Sequence, residues 1–129
     1  MQTIDGAAVV SASDLVGFLA CEHLTNLERA ALANLVNRPD RQDAELDMIA
    51  KRGTEHELRY LEFLRDAQRR TVSEISSEAG ATETRGDGLR RAAAETIDAM
   101  RRGDEVIYQA TFFDGRWLGF ADFLVRVDR

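Results

Sequence analysis

Residues 105–127 read EVIYQATFFDGRWLGFADFLVRV, and this stretch decides the fold. Residues 105–113 and 117–127 are rich in β-branched and aromatic side chains, which is typical of strands. Between them, Asp114-Gly115 is a strong signal for a two-residue hairpin turn. The pattern predicts an antiparallel hairpin with apolar residues on both faces. Such a hairpin belongs inside a sheet that is covered by helices.

The rest of the chain is predicted to be mainly helical. Apolar residues recur every three to four positions in three segments, which predicts helices over residues 14–36, 43–70 and 89–102. Pro39 separates the first two helices, and Gly103 is a candidate cap of the third. A short strand is expected at residues 72–75, and residues 1–10 are expected to be a loose lead-in.

Composition favours one soluble domain spanning residues 1–129. The predicted fold class is α/β (α+β), with about three helices packed on a small sheet that contains the C-terminal hairpin. No apolar run is long enough to cross a membrane, and the start lacks the features of a signal peptide, so a cytoplasmic location is expected. The net charge of −6 means that any DNA contact needs a local basic surface.

Asp122 is the first candidate site residue. Regular strand alternation places it on the same face as Phe120 and Leu124. A carboxylate among apolar side chains is costly unless a metal ion or a catalytic partner compensates for it. Two structural alternatives are a salt bridge to Arg126 and hydrogen bonds from backbone amides at a bulge.

His56 and Glu57 are the other candidates. On a helical wheel Glu57 falls near the centre of the apolar face of the second helix, and His56 falls at its edge. Gly53, one turn earlier, leaves room for a ligand or another backbone. Oxygen and imidazole ligands from a helix and a strand suit Mg²⁺ or Mn²⁺. Alternatively, His56 is a hydrogen-bonded structural residue and Glu57 is the buried partner of an arginine.

Two weaker signals remain. Cys21 is the only cysteine, which excludes an internal disulfide, and a buried small hydrophobe is the better interpretation of it. Seven arginines of the predicted helices and their ends are candidates for a phosphate-binding surface, although charged helix exteriors are usually only solvated. They are Arg65, Arg69, Arg70, Arg90, Arg91, Arg101 and Arg102.

Four motifs together resemble the RecB-like branch of the PD-(D/E)XK nucleases, over nearly the whole chain. The first three are Asp14-Leu15-Val16-x-Phe18-x-x-Cys21, Arg52-Gly53-x-x-His56-Glu57 and Val106-Ile107-Tyr108-Gln109-Ala110. The fourth and more specific motif is Gly119-x-Ala121-Asp122-Phe123-Leu124. The resemblance implies a partial restriction-endonuclease-like fold, equivalent to the N-terminal part of the nuclease domain.

The resemblance also implies a function. His56 and Asp122 match the family's helix histidine and first strand aspartate, which bind Mg²⁺ or Mn²⁺ for phosphodiester hydrolysis, and Glu57 is a helper. Cys21 matches the first cysteine of the iron–sulfur cluster of some relatives. The family's Asp/Glu-x-Lys half-motif is not among the 129 residues, so we expect weak or no cleavage by this chain alone. DNA, a fused helicase or a second copy are the expected partners, in a setting such as DNA repair. The alternative is a non-catalytic module of the same fold that binds nucleic acid or protein.

Overall fold

The computed structural model describes residues 1–39 and 43–127. In these residues a mixed sheet of five strands forms the centre of the fold. The strands are β1 (Gln2–Ile4), β2 (Ala7–Ser11), β3 (Val72–Glu74), β4 (Val106–Phe113) and β5 (Trp117–Val125). They lie in the order β1-β2-β5-β4-β3, with β2 parallel to β5, β3 parallel to β4, and the other neighbours antiparallel. The predicted mixed α/β class and the C-terminal hairpin are confirmed.

Within the described part of the chain, four helices accompany the sheet: α1 (Ala12–Ala20), α2 (Glu22–Leu32), α3 (Ala44–Glu62) and α4 (Arg85–Arg102). The predicted first helix is two helices, because Cys21 adopts an extended backbone (φ −161°, ψ 105°) that ends one and begins the next. The second predicted helix ends at Glu62 and continues as a π-helical turn, Phe63–Ala67.

The prediction of a loose lead-in at residues 1–10 is wrong, because β1 and β2 form a hairpin there. Asp5 and Gly6 make the turn with φ values of +48° and +80°. Positive φ at both central residues is the geometry that favours Asp-Gly in two-residue hairpins. The N-terminal hairpin therefore uses the same dipeptide that marks the C-terminal one.

Helix α4 lies against the sheet through two groups of buried side chains. One contains Ala92 and Ala99 of the helix with Ile75, Ile107 and Ala110, and Ala121 and Leu124 pack against it. The other contains Leu89 with Ile4, Val9 and Leu118. Buried Thr96 joins helix and strand, since its hydroxyl donates to the Ala92 carbonyl (2.9 Å) and accepts from the Thr111 amide (3.0 Å).

Helix α4 begins at Arg85, four residues before the predicted start. Thr84 and Asp87 form a capping box, in which each side chain accepts a hydrogen bond from the other residue's amide. Gly88 packs so closely against the backbone of Ala79 that an added Cβ would lie 3.0 Å from the Ala79 Cα. Gly86 and Gly88, the two glycines in the first turn of this helix, are thus explained by close packing and not by a loop. Gly103 caps the C-terminus in the left-handed conformation (φ +78°), as predicted.

Replacement of Thr84 by Ala is expected to lower the free energy of unfolding by about 1 kcal/mol, because an N-cap hydrogen bond is lost. The Thr84 hydroxyl also donates to Asp5 (3.1 Å), which ties the N-terminal turn to α4. Urea unfolding followed by circular dichroism measures the change. Thr84→Ser keeps the hydroxyl, so its free energy of unfolding should stay close to that of the parent chain. An equal loss of stability in both variants would contradict the role of Thr84 as the N-cap.

Helix α3 is the least buried of the long elements. Residues 43–56 are exposed without exception. Of the apolar face predicted for this helix, only Leu61 and the following Leu64 are buried, whereas Leu46 and Ile49 are more than half exposed. The amphipathic pattern is present, but in the described part of the chain only the C-terminal end of α3 packs against the sheet.

Candidate functional site

Asp122 lies in the middle of β5, and the expectation that it is confined among apolar side chains is wrong. Its side chain is exposed, and Phe120 is 48% exposed. Ala121 and Leu124, three positions apart, pack against the same core cluster. Strict alternation would place them on opposite faces of the sheet. The alternation is therefore interrupted at Asp122, and no burial cost needs to be compensated there.

The interruption coincides with Gln109 on the neighbouring strand. Tyr108 pairs with Phe123 and Ala110 with Ala121, so Gln109 stands opposite Asp122, yet these two residues are skipped in the ladder. Gln109 has a φ of +56°, which is uncommon for a residue other than glycine. Such conformations cluster at functional sites, where the surrounding structure maintains them.

Glu57 reaches this irregularity from the last turns of α3. Its carboxylate is half-buried and accepts a hydrogen bond of 2.5 Å from the side-chain amide of Gln109. The partner that the described residues show for Glu57 is this amide, and not the arginine of the structural alternative. Glu57 is held by an amide at the point where the strand departs from regular geometry.

Tyr108 connects the two carboxylates. The hydrogen bond that its hydroxyl donates to Glu57 raises the pKa of Tyr108 above its ordinary value, burial raises it further, and Gln109 opposes the shift. The negative charge of Asp122 acts in the same direction as that of Glu57. The charges of two carboxylates from different elements therefore both act on Tyr108. We call Glu57, Tyr108, Gln109 and Asp122 the Glu57–Asp122 site.

Aromatic contacts hold α3 against the sheet beside this site. Tyr60 meets Phe123 edge-on with ring centroids 5.0 Å apart, and Phe123 lies 5.2 Å from the ring of Tyr108. Phe63 stacks on Tyr60 at 6.2 Å. Pairs of this geometry contribute about 0.5–1.5 kcal/mol each beyond the area they bury. They fix the position of Glu57 on α3 relative to Asp122 on β5.

His56 is not part of this constellation. It is exposed on α3, and in residues 1–39 and 43–127 it forms no hydrogen bond or ion pair. Nor do the described residues contain a group of three or more His, Cys, Asp or Glu side chains arranged to hold a metal ion. Gln109 thus adjoins both Glu57 and Asp122, whereas His56 lies outside the Glu57–Asp122 site.

Sequence reasoning gave no role to Tyr108 or Gln109. A usable signal was present, because Gln109 is a long polar side chain within the apolar strand Val106–Phe113. The two-residue turn predicted at Asp114-Gly115 would have paired Phe113 with Arg116 and placed Gln109 opposite Phe120. That turn prediction is wrong, because Phe113 pairs with Leu118, and the shifted register places Gln109 opposite Asp122. The sequence could not indicate the positive φ of Gln109 or its hydrogen bond to Glu57, which lies 52 positions away along the chain.

Replacing Glu57 by Gln is expected to lower the pKa of Tyr108 towards its ordinary value near 10.0, because the negative charge is removed. Absorbance at alkaline pH measures the pKa of Tyr108. The titration uses a Tyr60→Phe background, because the chain has only two tyrosines and the signal then comes from Tyr108 alone. A tyrosine whose pKa is raised by folding contributes stability that is full below its unfolded pKa and is lost as pH rises through the folded one. Glu55→Gln, at an exposed position two residues earlier on α3, should leave the pKa of Tyr108 unchanged. The same pKa in the Glu57 variant as in the parent would contradict the contact.

The arginines proposed as a phosphate-binding surface are largely ion-paired. Arg65, Arg90, Arg91, Arg101 and Arg102 each contact a carboxylate of a nearby residue. Arg91 is the most engaged, with contacts to Glu83 and Glu95 and hydrogen bonds to two carbonyls. Five of the seven arginines therefore fit the alternative interpretation, in which they are surface charges and not phosphate ligands.

Cys21 is exposed at the junction of α1 and α2, so its interpretation as a buried small hydrophobe is wrong. Neither α1 nor α2 contains a buried residue, so no packed helix face encloses the thiol. The iron–sulfur role implied by the resemblance has no further ligand set in the described segments.

A helix able to cross a membrane is not found among the described residues. A scan against models of protein families found no match, and neither did searches of curated proteins and of solved structures. The likeness to RecB-like nucleases therefore stays a prediction that rests on the motifs of this chain.

Proposed function

We propose that this chain is a segment of a RecB-like, metal-dependent DNA nuclease, with Glu57 and Asp122 as carboxylate ligands of one divalent cation. The observation that supports the proposal is that Gln109, which stands opposite Asp122 in the pairing of β4 with β5, donates a hydrogen bond to the carboxylate of Glu57 on α3. Both residues belong to motifs that resemble the family's helix and strand motifs.

The donor chemistry fits Mg²⁺ or Mn²⁺. Hard cations prefer oxygen, and Mg²⁺ commonly keeps several waters while one or two carboxylates hold it. Glu57 and Asp122 supply two carboxylates, and the Gln109 amide already positions the first of them. With two carboxylates and no third ligand in the described residues, we expect weak binding. The role of His56 as a ligand stays a prediction from the resemblance.

When bound, such a cation supplies an activated water and stabilises the charge that develops on a phosphodiester. The residues of this chain contribute position and charge. Tyr108 is protonated at neutral pH, as a phenol with an ordinary pKa already is, and its raised pKa further favours a role as hydrogen-bond donor and not as a base. Gln109 holds Glu57 in one orientation. None of the four residues of the Glu57–Asp122 site carries a positive charge to neutralise the phosphate, which also favours slow turnover.

Cleavage of single- and double-stranded DNA with Mg²⁺ or Mn²⁺ tests the proposal. We expect slow or undetectable cleavage by this chain alone, and any activity should disappear in Asp122→Ala. Asp98→Asn, an exposed acid paired with Arg101 on α4, is a matched control that should retain it. Robust turnover that survives Asp122→Ala would exclude the assigned role of Asp122.

A second function is a non-catalytic module of the same fold that binds nucleic acid or protein, including a helicase or a second copy. The exposed apolar side chains of α1 and α3 favour it; Val16, Leu19, Leu46 and Ile49 are all more than half exposed. Scattered exposed apolar residues are ordinary, but a concentration of them marks interaction sites. Sedimentation equilibrium tests the homodimer, and a strict monomer at high concentration would count against it.

A further inference from the structure

Helix α3 carries an apolar face that no described element covers. Residues 43–56, about four turns, are exposed without exception. Leu46, Ile49, Ala50 and Gly53 recur at the spacing that places residues on one side of a helix. We call these four residues the α3 face. Leu46 is 61% exposed and Ile49 is 57% exposed, so the face presents its largest side chains to solvent, as interaction surfaces do.

Gly53 is not explained by the packing of the described residues. A Cβ at this position would meet no described atom within 4 Å, whereas a Cβ at Gly88 of α4 would press on the backbone of Ala79. Nor is Gly53 among the glycines with positive φ. Glycine inside a helix is destabilising relative to alanine, and it leaves room for another backbone to approach closely. The position therefore indicates that a second helix approaches α3 here.

The charges beside the α3 face change sign along the helix. Glu45 and Asp47 precede Ile49, whereas Lys51 and Arg52 follow it. The two acids suit the N-terminus of α3, but within residues 1–39 and 43–127 none of the four charged side chains forms an ion pair or a side-chain hydrogen bond. Acids followed by bases complement a second copy that runs in the opposite direction. A copy that runs in the same direction would bring like charges together.

A two-fold axis near Ile49 satisfies both features. Glu45 and Arg52 are seven positions apart, which is about two turns, so they lie on the same flank of the α3 face. Reversal about the axis places Glu45 of one copy beside Arg52 of the other, and Leu46 beside Gly53, each of them twice. The Leu46 side chain then occupies the space that Gly53 leaves open. The α3 face is therefore self-complementary in shape and in charge.

The rest of the fold leaves this pairing free. Helix α3 contacts the sheet through Glu57 and Tyr60, which follow the exposed turns. An antiparallel pair of α3 helices therefore carries the two sheets at its opposite ends. The Glu57–Asp122 site lies outside the paired turns.

We propose that the α3 face is the interface of a homodimer, in which α3 packs antiparallel to α3 of a second copy. The pairing rests on the second function proposed above, the module that binds a second copy, and does not depend on nuclease activity. Burial of Leu46 and Ile49 supplies the attraction, and the contacts between Glu45 and Arg52 set the direction of the helices. Four turns make a small interface, so we expect a dimer that dissociates at low concentration.

Sedimentation equilibrium of the whole chain measures the association, and reversal of single charges tests its direction. Glu45→Arg or Arg52→Glu should weaken the dimer at least about tenfold, because like charges then meet twice. An equimolar mixture of these two variants restores opposite charges at both contacts and should recover the parent affinity. Arg101→Glu makes the same change of charge at an exposed arginine of α4 and should have no effect.

Apolar variants test the face itself. Leu46→Gln should weaken the dimer at least about tenfold, whereas Leu19→Gln, at a position of α1 that is 76% exposed, should not. Gly53→Gln should strengthen the helical circular dichroism signal of the monomer and yet weaken the dimer, a combination that a merely local role of this glycine would not produce. Circular dichroism also verifies that each variant is folded.

Three results would overturn the proposal: a strict monomer at high concentration, a mixture of charge variants that does not recover, or equal effects of Leu46→Gln and Leu19→Gln. Binding of Mn²⁺ is measured separately on the same samples. A monomer that still binds Mn²⁺ at the Glu57–Asp122 site would overturn the pairing and leave the nuclease proposal intact.

Discussion

Asp122→Asn is expected to weaken the binding of Mn²⁺ by at least about tenfold, because a carboxylate ligand becomes a neutral amide in a site with few ligands. The exposed position of Asp122 makes this substitution harmless to the fold, so a loss of binding reports on the ion alone. Titration of free Mn²⁺ by electron paramagnetic resonance measures the affinity. Because Asn preserves the shape of Asp, packing around Phe123 is unchanged.

Asp98→Asn is the matched control for that measurement, because it removes the same charge from an exposed position on α4. Its Mn²⁺ affinity should equal that of the parent chain. If Asp122→Asn and Asp98→Asn reduce binding equally, the ion responds to net charge and not to a site. That outcome would remove the support for a Glu57–Asp122 site.

Leu89→Ala is expected to lower the free energy of unfolding by about 2–5 kcal/mol, because it deletes a fully buried side chain and leaves a cavity. Leu89 has no exposed surface and joins Ile4, Val9 and Leu118, so it links α4 to both hairpins. Urea unfolding measures the change. Leu19→Ala, at a position that is 76% exposed, should change stability by less than about 0.5 kcal/mol; equal losses would contradict the assignment of this core.

The hairpins illustrate what could be predicted from the sequence. Strong strand composition on both sides of Asp114-Gly115 was sufficient to place β4 and β5 almost to the residue. Asp5-Gly6 carries the same turn chemistry, but its flanking strands are short and the first contains polar residues. Composition therefore did not reveal the N-terminal hairpin, although pairing of β2 with β5 stabilises it in the sheet.

Helix α3 illustrates what could not be predicted. Its periodicity correctly indicates a helix and an apolar stripe, yet Leu46 and Ile49 are exposed. Periodicity shows which residues share a face but not whether another element covers that face. The contact of Tyr60 with Phe123 and the hydrogen bond from Gln109 to Glu57 show where α3 meets the sheet.

The candidate site was predicted in part. The helical wheel turned Glu57 towards the sheet, and the motif singled out Asp122. The reason given for Asp122, a costly apolar environment, was wrong, because it assumed regular alternation through a segment where Gln109 disrupts it. Tyr108 and Gln109 acquire their roles only through tertiary contacts with Glu57, which no local pattern encodes.

Paramagnetic broadening by substoichiometric Mn²⁺ tests most directly whether Glu57 and Asp122 bind one cation. In a two-dimensional NMR spectrum of the isotope-labelled chain, we predict selective broadening of the side-chain amide of Gln109 and of the backbone amides of Glu57, Tyr108 and Asp122. The effect should vanish in Asp122→Asn. Broadening confined to other acidic positions such as Asp98, or none at Gln109, would contradict a shared cation site.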